Sequence, residues 1–170
     1  MVNVFKYADS DMFFVKDNTF RIDKSPVYES VKSNGVKVVE FIRVKENELI
    51  FVEAKKSLHN PEKGEESGKY FRQEIEKIRD KFIHSLNLFS SVKVGIRDEA
   101  FADDFVLPTK GALVFILVVK EHKNEDFAVI KTSLNKSLVE AMPPYWLTIW
   151  NPVIKVMPHE LATKENLTVA

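Results

Sequence analysis

Residues 27–56, VYESVKSNGVKVVEFIRVKENELIFVEAKK, constrain the fold more than any other stretch, because they set glutamates on faces that are otherwise aliphatic. Over residues 36–44 a strand would show Val36, Val38, Glu40, Ile42 and Val44 on one face, and Lys37, Val39, Phe41 and Arg43 on the other. Glu29 interrupts Val27 and Val31 in the same way, and Glu53 with Lys55 continues the face of Leu49 and Phe51. A carboxylate on an apolar face has to be paired, protonated or bound to a metal.

Two turns decide how these glutamates meet. Asn34-Gly35 suits a type I′ hairpin, since both residue types tolerate the positive φ that turn demands. Such a turn sets Ser33 against Val36 and Glu29 opposite Glu40. The next reversal, at residues 45–48, sets Val44 opposite Leu49 and therefore Glu40 opposite Glu53. The expectation is a three-stranded antiparallel meander with Glu29, Glu40 and Glu53 in one row, their Cβ atoms about 5 Å apart. Like charges facing each other destabilise a ladder, so a cation is expected among them. A second reading of residues 25–32 is a helical turn, capped by Ser25 with Pro26 at its first position, which removes Glu29 from the row.

Downstream, residues 57–68 have loop composition. A long amphipathic helix is expected over residues 67–90, with Phe71, Ile75, Ile78, Phe82, Leu86 and Phe89 as its apolar stripe. Lys69, Arg72, Gln73, Glu76, Lys77, Arg79, Asp80 and Lys81 make the polar face. Residues 112–120, ALVFILVVK, read as a strand buried on both sides. Residues 130–141 read as a helix ending before Pro143-Pro144, residues 92–96 as a short strand, and residues 145–157 as supplying a late strand. Before the meander, residues 12–15 and 19–22 read as a hairpin or as a strand followed by a short helix. The last dozen residues are expected to fray. Nothing divides the chain, and residues 1–170 read as one domain of mixed α/β (α+β) class.

Composition narrows the function classes. Twenty-five Lys and Arg balance twenty-five Asp and Glu, so no global positive charge announces nucleic acid, although a local patch suffices to bind phosphates. The absence of cysteine removes disulfides, thiolate catalysis and Cys-based zinc sites. No apolar run approaches a bilayer span, and the N-terminus lacks a signal-peptide pattern, which points to a cytoplasmic protein with no membrane partner. His59, His84, His122 and His159 show no metal-ligand spacing, and Trp146 and Trp150 suit core packing. There is no P-loop, dinucleotide fingerprint or Gly-x-Ser-x-Gly elbow.

Glu40, followed by Glu53-Ala54-Lys55, is an acid, a spacer and a Glu-x-Lys on neighbouring antiparallel strands, ahead of a helix and a core strand. This resembles the PD-(D/E)xK nuclease superfamily, the restriction-endonuclease-like fold, over residues 27–120. Glu121-His122-Lys123 also matches Glu-x-Lys, but no hairpin precedes it. Glu40 stands where the family usually has Asp, and Val39 where it usually has Pro. The resemblance implies a magnesium (or manganese) ion held by Glu40, Glu53 and the Ala54 carbonyl, with Glu29 a further candidate ligand. On the second reading of residues 25–32, Glu29 would be the acid that the family often carries on a preceding helix.

The chemistry accounts for that grouping. Cleaving a phosphodiester calls for a divalent ion that draws charge from the phosphate and acidifies a bound water. Magnesium takes a few hard carboxylate oxygens and keeps several waters. Lys55, about 7 Å further along the same strand face, can orient the water or offset charge on the phosphate. Glu40, Glu53 and Lys55 are therefore the expected catalytic group. Lys56, Gln73 and Lys77 are candidate nucleic-acid contacts, and Lys69, Arg72, Arg79 and Lys81 candidate phosphate contacts. The expected activity is a nuclease acting on DNA rather than RNA, with specificity from nucleic-acid structure, a homodimer or a partner protein. The alternative is a non-catalytic member of the same fold, serving as a binding module in a larger complex.

Overall fold

The computed structural model describes residues 4–7, 10–123 and 126–169; residues 1–3, 8–9, 124–125 and 170, some of them within the N-terminal and last-dozen stretches read above, lie outside the described residues. Two sheets and a set of helices form three layers. The main sheet has the order β3-β4-β5-β6-β7, from Thr19–Phe20, Phe41–Lys45, Glu48–Lys55, Ala112–Val119 and Val153–Pro158. The pairs β3–β4 and β4–β5 are antiparallel, and β5–β6 and β6–β7 are parallel. A second, antiparallel sheet joins β1 (Val4–Tyr7), β2 (Met12–Val15) and β8 (Thr168–Val169). The class is mixed α/β, as expected.

Alternation along β6 defines the layers. Leu113, Phe115, Leu117 and Val119 pack with the helices α2 (Glu65–Lys93) and α3 (Asp126–Ala141). Val114, Ile116 and Val118 face the small sheet, with Met12, Phe14 and Leu167. Both faces are covered, which is why this strand is apolar almost throughout. The six predicted stripe residues of α2 are all buried, and Phe82 stacks on Phe115 at 4.6 Å with an interplanar angle of 12°.

The antiparallel part of the main sheet does have three strands, but the first is Thr19–Phe20 rather than residues 27–33. Residues 26–34 are helical. Pro26–Glu29 form α1, whose N-cap Ser25 accepts a hydrogen bond from the Tyr28 N–H at 3.2 Å, and a 3₁₀ turn follows over Lys32–Asn34. Gly35 closes that turn in the left-handed region, at φ 78°. Asn-Gly thus ends a helical segment instead of making a hairpin, and either use exploits the same freedom at glycine.

Residues 36–40 are not yet strand. Two of their N–H groups are met by α2 side chains: Lys37 donates to Nδ1 of His84 at 3.1 Å, and Val39 to Oγ of Ser85 at 2.8 Å. Only at Glu40, whose N–H donates to the Val52 carbonyl at 3.1 Å, does pairing with β5 begin. From there the predicted register holds: Phe41 pairs with Val52 and Val44 with Leu49, around a two-residue turn in which Glu46 takes φ 53°.

Other boundaries moved. Residues 12–15 and 19–22 do not pair as a hairpin, because β2 and β3 belong to different sheets. Residues 92–96 are the end of α2 and its exit turn. The first half of residues 145–157 is the helix α4 (Pro144–Trp150), which leaves only the second half for β7. The C-terminal residues are ordered by α5 (His159–Lys164) and by β8 on β2. Among the described residues no helix is long and apolar enough to cross a membrane.

Candidate active site

Glu40 stands just before the first β4–β5 pair, Phe41 with Val52, and its side chain meets the same Lys81 ammonium as Glu53. Both are buried, 3% and 0% exposed, on the face of the sheet that packs against α2. Oε2 of Glu40 accepts the Ala54 N–H at 2.7 Å, so the first acid is anchored to the strand that carries the second. Oε1 of Glu53 accepts from Nζ of Lys81 at 2.7 Å and lies 3.4 Å from Nζ of Lys55. Oε1 of Glu40 is 3.7 Å from the same Lys81 ammonium. Oε2 of Glu53 is buried with no partner among the described residues.

The cation expected among the acids is therefore Lys81. It reaches them from α2, one turn beyond Lys77 and two beyond Gln73, both of which are exposed. Burial pulls its ammonium toward the neutral form, but the charges of Glu53 and Glu40 and the hydrogen bond to Glu53 outweigh that and raise its pKa. Glu40 moves the other way for an acid: burial, then the charge of Glu53 and a hydrogen bond to it, push its carboxyl well above the usual range, against Lys81 and the Ala54 N–H. The raised Glu40 carboxyl therefore keeps its proton to higher pH than an ordinary glutamate does. Two ammonium groups face the pair, of which Lys55 is the more exposed.

Sequence reasoning set Lys81 among surface charges. The signal that could have found it is its place at the edge of the stripe, three residues after Ile78 and four before the buried Ser85. A second missed group lies close to Glu40. Burial, the Glu40 charge and a 2.6 Å hydrogen bond to Asp23 all raise the Tyr7 phenol above its ordinary value. Arg21 holds Asp23 through two bonds, 2.8 and 2.9 Å, with its guanidinium over the rings of Phe5 and Tyr7.

Glu29 is not in the row. It sits on α1, more than half exposed, 3.3 Å from Lys32. Lys56 lies just past the end of β5, 3.7 Å from Glu121. His122, in the second Glu-x-Lys, is held by Asp126 and the Leu58 carbonyl and has a packing role.

Two adjacent carboxylates, one with an unsatisfied oxygen, make a hard-oxygen donor set of the kind magnesium accepts. The Ala54 carbonyl adds to it, since it leaves the strand on the same edge as the N–H that Glu40 binds. Among the described residues no cluster of three His, Cys, Asp or Glu side chains forms, so any further ligands would be water or substrate. Compared with known proteins, the chain matches no family model, no curated protein and no solved structure.

Proposed function

We propose that the chain is a metal-dependent nuclease of the PD-(D/E)xK kind, hydrolysing phosphodiester bonds of DNA. The observation that carries this reading is the apposition of Glu40, just before β4, and Glu53 on β5 around one ammonium, with Lys55 3.4 Å from Glu53 on the same face of β5. Glu40, Glu53 and the Ala54 carbonyl would hold Mg²⁺ or Mn²⁺. The bound ion supplies charge neutralisation at the phosphate and a more acidic water. Lys55 stays outside the ligand set, and its mobile ammonium orients that water or meets the charge that builds on the phosphate. Specificity would come from nucleic-acid structure, from a second copy of the chain or from a partner protein.

A second reading, a non-catalytic binding module, is favoured by one observation: the Lys81 ammonium already lies 2.7 Å from Glu53 and 3.7 Å from Glu40 and offsets their charge. Cleavage separates the two. Single-stranded, duplex and branched DNA, with an RNA control, are incubated with Mg²⁺ or Mn²⁺ and either the natural protein or a Glu53→Ala, Lys55→Ala double variant. Metal-dependent cleavage by the natural protein alone supports the nuclease. Cleavage by both alike, or by neither, sinks it.

A further inference from the structure

We infer that Lys81 is a built-in counter-ion for the metal site: it holds the position of the divalent ion in the metal-free protein and has to leave for the ion to enter. This inference rests on the proposed metal-holding role of Glu40 and Glu53. The geometry points to it because a single ammonium lies 2.7 Å from one acid and 3.7 Å from the other, between the two side chains that would share the metal. No other cation among the described residues spans both. Lys55 lies 3.4 Å from Glu53 and has no such contact with Glu40 among the described residues.

The setting makes the placement useful. Two buried acids repel each other, and a chain that needed metal to relieve them would fold only when loaded. Lys81 removes that requirement. It is delivered by α2, whose Ser85 also fixes the segment that carries Glu40, so one helix sets both the acid and its counter-charge. A lysine suits the role better than an arginine. Its ammonium is a point charge on a flexible stem and can withdraw, whereas a guanidinium would grip a carboxylate through two bonds. A quarter of the Lys81 side chain is exposed, so the ammonium can move toward solvent, on the side where Lys55 is also exposed. There it would add to the charge that meets the substrate phosphate. Lys81 is thus a positioning residue that couples metal entry to the release of a cation.

The test is a Mn²⁺ titration of the metal-free protein followed by thermal melting, with no substrate present. Natural protein, Lys81→Met and Lys81→Arg are compared, with Glu40→Ala as the control that cannot bind. Lys81→Met should melt lower without metal, yet reach half of its metal-induced rise at a Mn²⁺ concentration about tenfold lower or less, because nothing has to be displaced. Lys81→Arg, which keeps the pair neutralised and so the fold, should need about tenfold more Mn²⁺ than the natural protein. The two variants move in opposite directions, so a folding defect in one leaves the other decisive. Equal half-saturation in all three overturns the counter-ion role while leaving the metal site standing. No metal response in any of them, or the same response in Glu40→Ala, overturns the metal reading itself and this inference with it.

Discussion

Nζ of Lys81 lies 2.7 Å from Oε1 of Glu53, a contact between residues 28 apart in sequence that ties the long helix to the strand carrying Glu-x-Lys. Glu53 is fully buried and the lysine mostly so, which makes this an ion pair with stakes on both sides. Breaking a buried pair by removing one partner costs about 3–5 kcal/mol, and the partial exposure of Lys81 moves the expectation for Lys81→Met to about 2–3 kcal/mol. In a background of Glu53→Gln the same change should cost less, a coupling of about 1–2 kcal/mol by urea unfolding of the four proteins. Additive effects would mean that the contact is energetically idle.

The raised pKa of Glu40 gives a prediction of the opposite sense from most acids. Its carboxyl holds a proton in the folded chain at pH values where the unfolded chain has lost it. The stabilisation is therefore complete below the ordinary value near 4.5 and is lost as pH rises through the higher folded value. Glu40→Gln keeps the acceptor for the Ala54 N–H and offers a permanent donor toward Glu53. Its stability should gain on that of the natural protein by up to about 1.4 kcal/mol per pH unit across that window, in parallel urea titrations from pH 4.5 to 8. A variant whose stability tracks the natural protein at every pH would show that Glu40 is ionised throughout.

The parts of this site that could be read from sequence are those fixed by parity. Side chains alternate along a strand, and a turn of two or four residues at 45–48 leaves Val44 against Leu49 in either case, so the register that brings Glu40 up to Glu53 survives an error in loop length. Glu29 had no such protection. Its place depended on whether Asn34-Gly35 reversed a hairpin or ended a helical turn, and positive φ at glycine serves both. Lys81 was hidden for another reason. A lysine beside an apolar stripe is ordinarily a solvated one, and its long stem reaches a buried acid only because the sheet beneath presents one. The short strands β1, β2 and β8 carry too few residues to show a period, so the second sheet had no signature of its own.

The two uses of Asn-Gly can be told apart by substitution. In a type I′ hairpin both central residues need positive φ, whereas here Gly35 alone has it and Asn34 belongs to a 3₁₀ turn. A Cβ at Gly35 meets open space, so Gly35→Ala should cost only the backbone strain, about 1–2 kcal/mol. Asn34→Ala should fall within about 0.5 kcal/mol of neutral. A comparable loss in both variants by thermal melting would restore the hairpin.

How firmly α2 is seated decides how well Lys81 can be aimed. Phe82, the next residue, is fully buried and stacks on Phe115 of the central strand. Phe82→Ala should cost about 3–5 kcal/mol through lost transfer energy and the cavity left behind. Phe82→Leu keeps most of the volume and should cost well under half of that. A small loss in the alanine variant would mean that the helix is held elsewhere, and that Lys81 does not depend on this seat.

On the proposed nuclease reading, Lys55 carries the sharpest division between stability and activity. About a third of its side chain is exposed, and its 3.4 Å contact with Glu53 is secondary to that of Lys81, so removing it should leave the fold within about 0.5 kcal/mol of the natural protein. It is not among the groups that would hold metal, and the Mn²⁺-induced rise in melting temperature should survive in Lys55→Met. Turnover should not survive. A group that orients water or meets developing charge contributes about 10²-fold or more, and the loss should fall on kcat rather than KM. Lys55→Arg should be impaired as well, because a planar, permanently charged fork cannot take the place of a compact ammonium next to Glu53. Cleavage at full rate by Lys55→Met would remove Lys55 from the reaction; loss of cleavage together with loss of the Mn²⁺ response would instead show that Lys55 supports the carboxylate pair.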